Sequence, residues 1–258
     1  MEMNATDPLA QIGYLDDSDI LLDEGALALA AADRIRPQLA EARQRLDALA
    51  AALPAGTQGS AARADALVGL LARDQGFTGD RQDYDNPANA DFLSLLERRR
   101  ALPVTLSILY VALARRHGWT AQPLSLPGHV LVAIGGDTDR IWIDAFAEGR
   151  IIRQLQHPDK NTARQAVLLD NRETLVRLVM NQVARARTET GRGRRMILYE
   201  RLTALAPGEP ALWWERARLE RDAGDRQAAR RSLAAMSETT HNPRMAGQIR
   251  AALQTLAG

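Results

Sequence analysis

Between residues 103 and 146 the hydrophobic pattern changes its period, and this change restricts the fold more than any other feature of the chain. The stretch ALPVTLSILYVALARRHGW repeats apolar residues every three or four positions, at Leu106, Leu109, Tyr110, Leu113 and Ala114. That spacing is helical. Pro103 suits a first helical position, and Gly118 suits the residue just past a helix end. The run is apolar on most sides, so the helix belongs in an interior. Beyond Gly118 the pattern differs: QPLSL, HVLVAI and RIWIDAF are short, β-rich and separated by turn formers. GGDTD between the last two reads as a hairpin connection. A buried helix leading into about three antiparallel strands predicts an α+β fold.

The flanks read as helices. SDILLDEGALALAAADRI offers Ser18 or Asp19 as an N-cap. RPQLAEARQRLDALAAAL resumes after Pro37, and SAARADALVGLLARDQG runs from Ser60 to a stop at Gly76. GFTGDRQDYDNPANA is a long polar loop and DFLSLLERRR a short helix. From Asn171 onward the chain is helical again. Pro207, Trp213, Ala217, Gly224, Ala229 and Leu233 fall where a tetratricopeptide repeat places its proline, large residue, small residues, inter-helix glycine and second-helix apolar residue. ETLVRLVMNQVARARTET and MILYERLTALAPGEP read as the two helices of a preceding, degraded unit, with Tyr199 inward. Two domains are expected, residues 1–170 and residues 171–258.

Composition excludes several classes. With 46% apolar and 25% charged residues and a net charge of +1, the chain reads as an ordinary globular protein. Nothing in that balance draws it to nucleic acid or membrane. No apolar run is long enough to span a bilayer, and the first residues lack the basic start and apolar core of a signal peptide. There is no cysteine, so disulfides, thiolate metal sites and thiol nucleophiles are absent. A cytoplasmic location is expected. His117, His157 and His241 lack metal-ligand spacing, and Asp83, Tyr84, Asp85 and Asn89 match no calcium loop, so neither metal nor cofactor is expected. No phosphate-cradling glycine loop is present. Arg98, Arg99 and Arg100 suit a helix end. Charge is unevenly spread: residues 1–60 carry ten Asp/Glu against four Arg, and residues 171–258 carry sixteen Arg against nine Asp/Glu. The basic end either attracts the acidic one or docks an acidic partner.

The ordered set GFTGDRQDYDNPANADFLSLLERRRALPVTLSILYVALARRHGW, LPGHVLVAI and IDAFAEGRII resembles the bacterial SirB-type transglutaminase-like family. The resemblance runs from the LLDEGALALAA helix through the ALAPGEPALW segment. It implies a helical start, a papain-like core with a buried helix and a small antiparallel sheet, and C-terminal tetratricopeptide-like helices. In active members a cysteine lies near the start of the buried helix, a histidine begins the next strand and an aspartate ends the following one. His129 and Asp144 match the last two. The cysteine slot falls in PVTLS and holds none, leaving Thr105 and Ser107 as the nearby hydroxyls. Ala101 stands where the family has glycine, PGHV where PGHF is usual and DAF where DPF is usual.

His129, Asp144, Thr105 and Ser107 are therefore the candidate catalytic set, vestigial or alternative. In such a set the carboxylate orients the imidazole and the imidazole deprotonates the nucleophile. Asn89 and Tyr110 in the core, and Arg216 and Arg230 on the C-terminal helices, are the candidate peptide contacts. The expectation is a non-catalytic scaffold for a protein or peptide partner. The competing expectation is a hydrolase or acyltransferase using Ser/Thr, His and Asp. A hydroxyl about 3 Å from the His129 ring and open to solvent would favour the enzyme.

Overall fold

The computed structural model describes residues 7–153, 166–186, 191–240 and 242–256. His157 and His241 lie outside the described residues. The fold is α+β. Two compact units are present, one formed by Asp16–Leu178 and the other by Met1–Leu15 with Val179–Gly258. This division differs from a single cut at residue 170: it groups the first fifteen residues with the C-terminal helices, and it passes through a helix.

In the Asp16–Leu178 unit the helices are α2 (Leu22–Ala31), α3 (Leu39–Ala51), α4 (Ser60–Val68), α5 (Phe92–Arg98) and α6 (Pro103–Arg116). Helix α1 (Pro8–Tyr14) belongs to the other unit. Every residue of α6 from Pro103 to Ala114 is buried, as an all-round apolar helix requires. Its last turn carries Arg115 and Arg116, and Gly118 follows with φ 76°, the left-handed conformation that ends a helix. Arg116 reaches Asp23 of α2 at 2.6 Å and also pairs with Asp47 of α3.

The chain then forms β3 (Ala121–Leu126), β4 (His129–Ile134), β5 (Ile141–Asp144) and β6 (Arg150–Ile152), preceded by the short pair β1 (Thr78–Gly79) and β2 (Arg100–Ala101). β7 (Val167–Leu168) completes an antiparallel sheet of order β6-β5-β4-β3-β7. The sequence predicts the three central strands; β6 and β7 are too short to show a period. β3 and β4 are joined by Pro127 and Gly128, with Leu126 opposite His129. Gly128 has φ 70°, so Pro-Gly here follows the type II turn pattern. In β4 the five residues from Val130 to Ile134 are all buried, so both faces of the strand are covered. α6 packs on β3 and β4, and α4 packs on β4, β5 and β6.

One expected cap is corrected. Neither Ser18 nor Asp19 caps α2; Asp17–Asp19 forms a 3₁₀ turn and α2 begins at Leu22 without a side-chain cap. Asp17 instead accepts from the amides of Asn171 (3.1 Å) and Arg172 (2.8 Å), at the start of α7 (Asn171–Arg185). A carboxylate there satisfies otherwise open helix N–H groups. The polar loop before α5 is ordered by its own hydrogen bonds, and Asn86 caps a 3₁₀ turn over Pro87–Ala90.

The other unit contains α8 (Arg192–Leu205), α9 (Pro210–Asp222), α10 (Arg226–Thr239) and α11 (Pro243–Thr255). α9 and α10 form a tight hairpin turning at Gly224, φ 85°. Ala217 and Ala229 are buried where the helices meet, with Leu233, Met236 and Ile249. Glu220 is buried and bonded by Arg216 (2.9 Å) and Ser232 (2.6 Å), and Arg216 also donates to Thr203 of α8 (2.9 Å). This network links three helices through one carboxylate.

Candidate functional site

His129 opens β4 and Asp144 closes β5. The ladder pairs Val132 with Ile143, so residue 129 lies opposite residue 146, and Asp144 shares its face of the sheet. Their side chains meet, with His129 Nε2 at 3.0 Å from Asp144 Oδ1. The carboxylate also accepts from the Ala147 amide (3.0 Å) and from Arg150 (3.1 Å), its neighbour on β6. Burial alone would raise the Asp144 carboxyl; the His129 hydrogen bond and charge, the Ala147 amide and Arg150 outweigh it and hold the group below the usual range. An ionised carboxylate only accepts, so Nε2 carries the proton. On a neutral ring that leaves Nδ1 with the lone pair. The His129 side chain is 28% exposed and that of Asp144 6%.

Phe146 frames the pair. Its ring meets His129 edge to face at 6.2 Å and Tyr84 at 5.8 Å, with the Arg81 guanidinium 5.7 Å from its centroid. Gly79 donates to the Phe146 carbonyl (3.2 Å), and a Cβ on Gly79 would lie 2.4 Å from the ring. The glycine is there for close approach. Arg177 of α7 donates to Ser125 Oγ (2.7 Å) and to the His129 carbonyl (3.3 Å), tying down the turn that carries the histidine.

Thr105 and Ser107 are fully buried. Thr105 Oγ donates to the Asn89 carbonyl (2.7 Å), and Ser107 Oγ donates to the Val104 carbonyl (2.8 Å). Both hydroxyl protons are held by backbone, and neither hydroxyl bonds the imidazole.

The candidate peptide contacts fall in different settings. Asn89 is fully buried; its amide donates to the carbonyls of Asp83 (2.7 Å) and Tyr84 (3.3 Å) and accepts from Arg98 (3.0 Å). Arg98 also bonds Asp80 (3.1 Å), so Asn89, Arg98 and Asp80 clamp the loop that presents Tyr84. Asp80 is held below the usual range by the Asp83 amide, with help from Asn89 and Arg98 against the cost of burial. Tyr110 is fully buried, its hydroxyl has no hydrogen-bond partner among the described residues, and burial raises its pKa. As placed, neither Asn89 nor Tyr110 offers surface to a ligand. Arg216 is engaged by Glu220 and Thr203 and lies over the Trp213 ring. Arg230 is exposed and makes no hydrogen bond or ion pair among the described residues.

The sequence reading missed Gly79, Arg81, Phe146 and Arg177. Only Phe146 had a visible signal, as the aromatic residue of IDAF. The others are placed by contacts between distant segments. Among the described residues no three His, Asp or Glu side chains gather as a metal site, and no helix is long and apolar enough to cross a membrane.

The sequence profile of the transglutaminase-like superfamily matches residues 40–183, more than half of the chain, and encloses both strands and the buried helix. The chain belongs to the transglutaminase-like superfamily. As a member of that superfamily it is similar to F-box only protein 21 of Homo sapiens, 35% identical over 94 residues, covering 33% of this chain and 15% of that protein. It is similar to a UPF0162 protein of Xylella fastidiosa, 26% identical over 183 residues and 65% of each chain. A UPF0162 protein of Vibrio cholerae is 32% identical over 144 residues, 54% of this chain and 53% of that one. The chain thus spans a small part of the F-box relative and between about half and two thirds of these two bacterial relatives.

Proposed function

We propose that this transglutaminase-like protein is non-catalytic and serves in the cytoplasm as a scaffold for a protein or peptide, through its core and its tetratricopeptide-like C-terminal helices. One observation carries the reading. The chain has no thiol, and the two hydroxyls near the nucleophile slot are fully buried and donate to backbone carbonyls. A hydroxyl needs an aligned base to become a nucleophile. Thr105 and Ser107 would have to give up their present bonds and change orientation to meet one. The His129–Asp144 pair then works as a pin: it fixes the turn after β5, and through Phe146 it positions Tyr84 and Arg81 at the surface. The hairpin of α9 and α10, closed at Gly224 with alanines at the crossing, supports the repeat-like part of the reading.

The retained pair favours one other reading, a hydrolase or acyltransferase in which Ser107 or Thr105 turns toward the imidazole. Assays of amine transfer, amide cleavage and peptide cleavage on general substrates separate the two. The scaffold reading expects no turnover. Turnover abolished by both Ser107→Ala and His129→Ala would make the protein an enzyme. Replacing Thr105 or Ser107 by cysteine probes the same slot: burial should keep either thiol slow toward iodoacetamide.

A further inference from the structure

We infer that the cavity between α7, α8 and α9 receives an acidic segment of a partner protein, with one large apolar side chain inserted and a carboxylate on Arg195. This rests on the peptide-binding reading above and names its chemistry. The cavity holds about 280 Å³, below the ~300–1,000 Å³ of sites for drug-sized ligands. It suits one large side chain and its backbone. Met180, Val183 and Ala184 of α7 and Leu219 of α9 give it apolar walls, and Met180 is 38% exposed at the surface.

Three observations make the occupant acidic. Arg195 Nε is buried at this cavity and has no hydrogen-bond partner among the described residues. A buried donor left unpaired is costly, and a carboxylate would satisfy it with a charge-assisted bond. Next, the first turn of α8 carries Arg192, Arg194 and Arg195 with no acidic side chain and no side-chain cap. Cations at that end oppose the helix dipole, and an arriving anion relieves them. Arg194 is held to Gln182 at 2.7 Å, which leaves Arg195 and the exposed Arg192 to meet the ligand. Finally, the one carboxylate on the wall, Glu215, is bonded by Arg218 at 2.9 and 3.1 Å, so its repulsion of an acidic ligand is offset. Tyr199 adds a polar hydroxyl to the apolar wall.

The test uses the full chain and a fluorescein-labelled peptide in which one phenylalanine is flanked by glutamates, read by anisotropy. Saturable binding is expected, weakened about ten- to a hundred-fold by Arg195→Met, the range of one charged hydrogen bond. Met180→Glu should weaken it too, by repulsion at the mouth. Replacing the phenylalanine by alanine, or the glutamates by glutamines, should each weaken binding, and salt should weaken it further. Circular dichroism of both variants should match the parent. No saturable binding at millimolar peptide overturns the inference, as does binding indifferent to Arg195→Met or equal binding of the glutamine peptide. A concentration-dependent dimer in sedimentation, lost in Arg195→Met, would place a second copy here and also overturn it. Turnover assays decide the non-catalytic reading separately, so either can fail while the other stands.

Discussion

At the scale of single residues, burial and bonding decide what each candidate can do. Tyr110 fills the centre of α6 with an unpartnered hydroxyl. Removing an unpaired buried polar group is neutral or favourable. Tyr110→Phe should therefore leave the unfolding free energy from urea titration unchanged or raise it by up to about 1 kcal/mol; a clear loss would mean the hydroxyl holds something in place. Asp144 makes the opposite case. Its folded pKa is depressed, so its contribution is present above the unfolded value of about 4 and is lost as pH falls through the folded value. Asp144→Asn should cost about 1–2 kcal/mol at pH 7 and give a shallower loss of stability below pH ~4, since the variant has no proton to take up there. Urea titrations at several pH values measure both. A variant with the parent's acid slope would show that the pair does not stabilise the fold.

At the scale of elements, α6 and the α9–α10 hairpin show two ways of making helices pack. α6 needs no amphipathic stripe, because the sheet and the surrounding helices cover it on every side. The hairpin depends on small residues. Ala229 is fully buried and Ala217 is 4% exposed, so the backbones come close. Ala229→Leu should overpack this crossing and cost roughly 1–3 kcal/mol, seen as a lower thermal midpoint. An unchanged midpoint would mean that the hairpin can widen freely. The buried Glu220 beneath the crossing argues against that, because separating the helices would pull it from Ser232 and Arg216.

At the scale of the whole chain, the boundary of the first unit follows from what α7 does. Asp17 bonds the first amides of α7, and Leu175 sits where a Cβ on Gly25 would approach to 2.5 Å. A fragment of residues 16–185 should therefore unfold cooperatively. One ending at residue 170 should lose several kcal/mol, because it takes the α7 amides away from the Asp17 carboxylate and the Leu175 side chain from the core. Denaturant melts of the two fragments make the comparison. Equal stability would put the boundary at 170 after all.

Much of this was legible in the residues. The change of period after Gly118 determined a buried helix followed by antiparallel strands, because helix and strand place side chains at different repeats. The ordered motifs determined the superfamily and pointed to His129 and Asp144; alternation then says which residues of each strand share a face, while the register of β4 on β5 is seen in the structure. Periodicity cannot show the partners of a polar atom. That Thr105 and Ser107 turn their hydroxyls to backbone, that Asn89 is a buried clamp, and that Arg216 is locked to Glu220 depend on segments brought together from far along the chain. So do Gly79 beneath Phe146 and Arg177 beneath the histidine turn. Only tertiary structure decided which polar groups were left open to a ligand, because a hydrogen bond is set by distance and direction in space and leaves no spacing in the sequence.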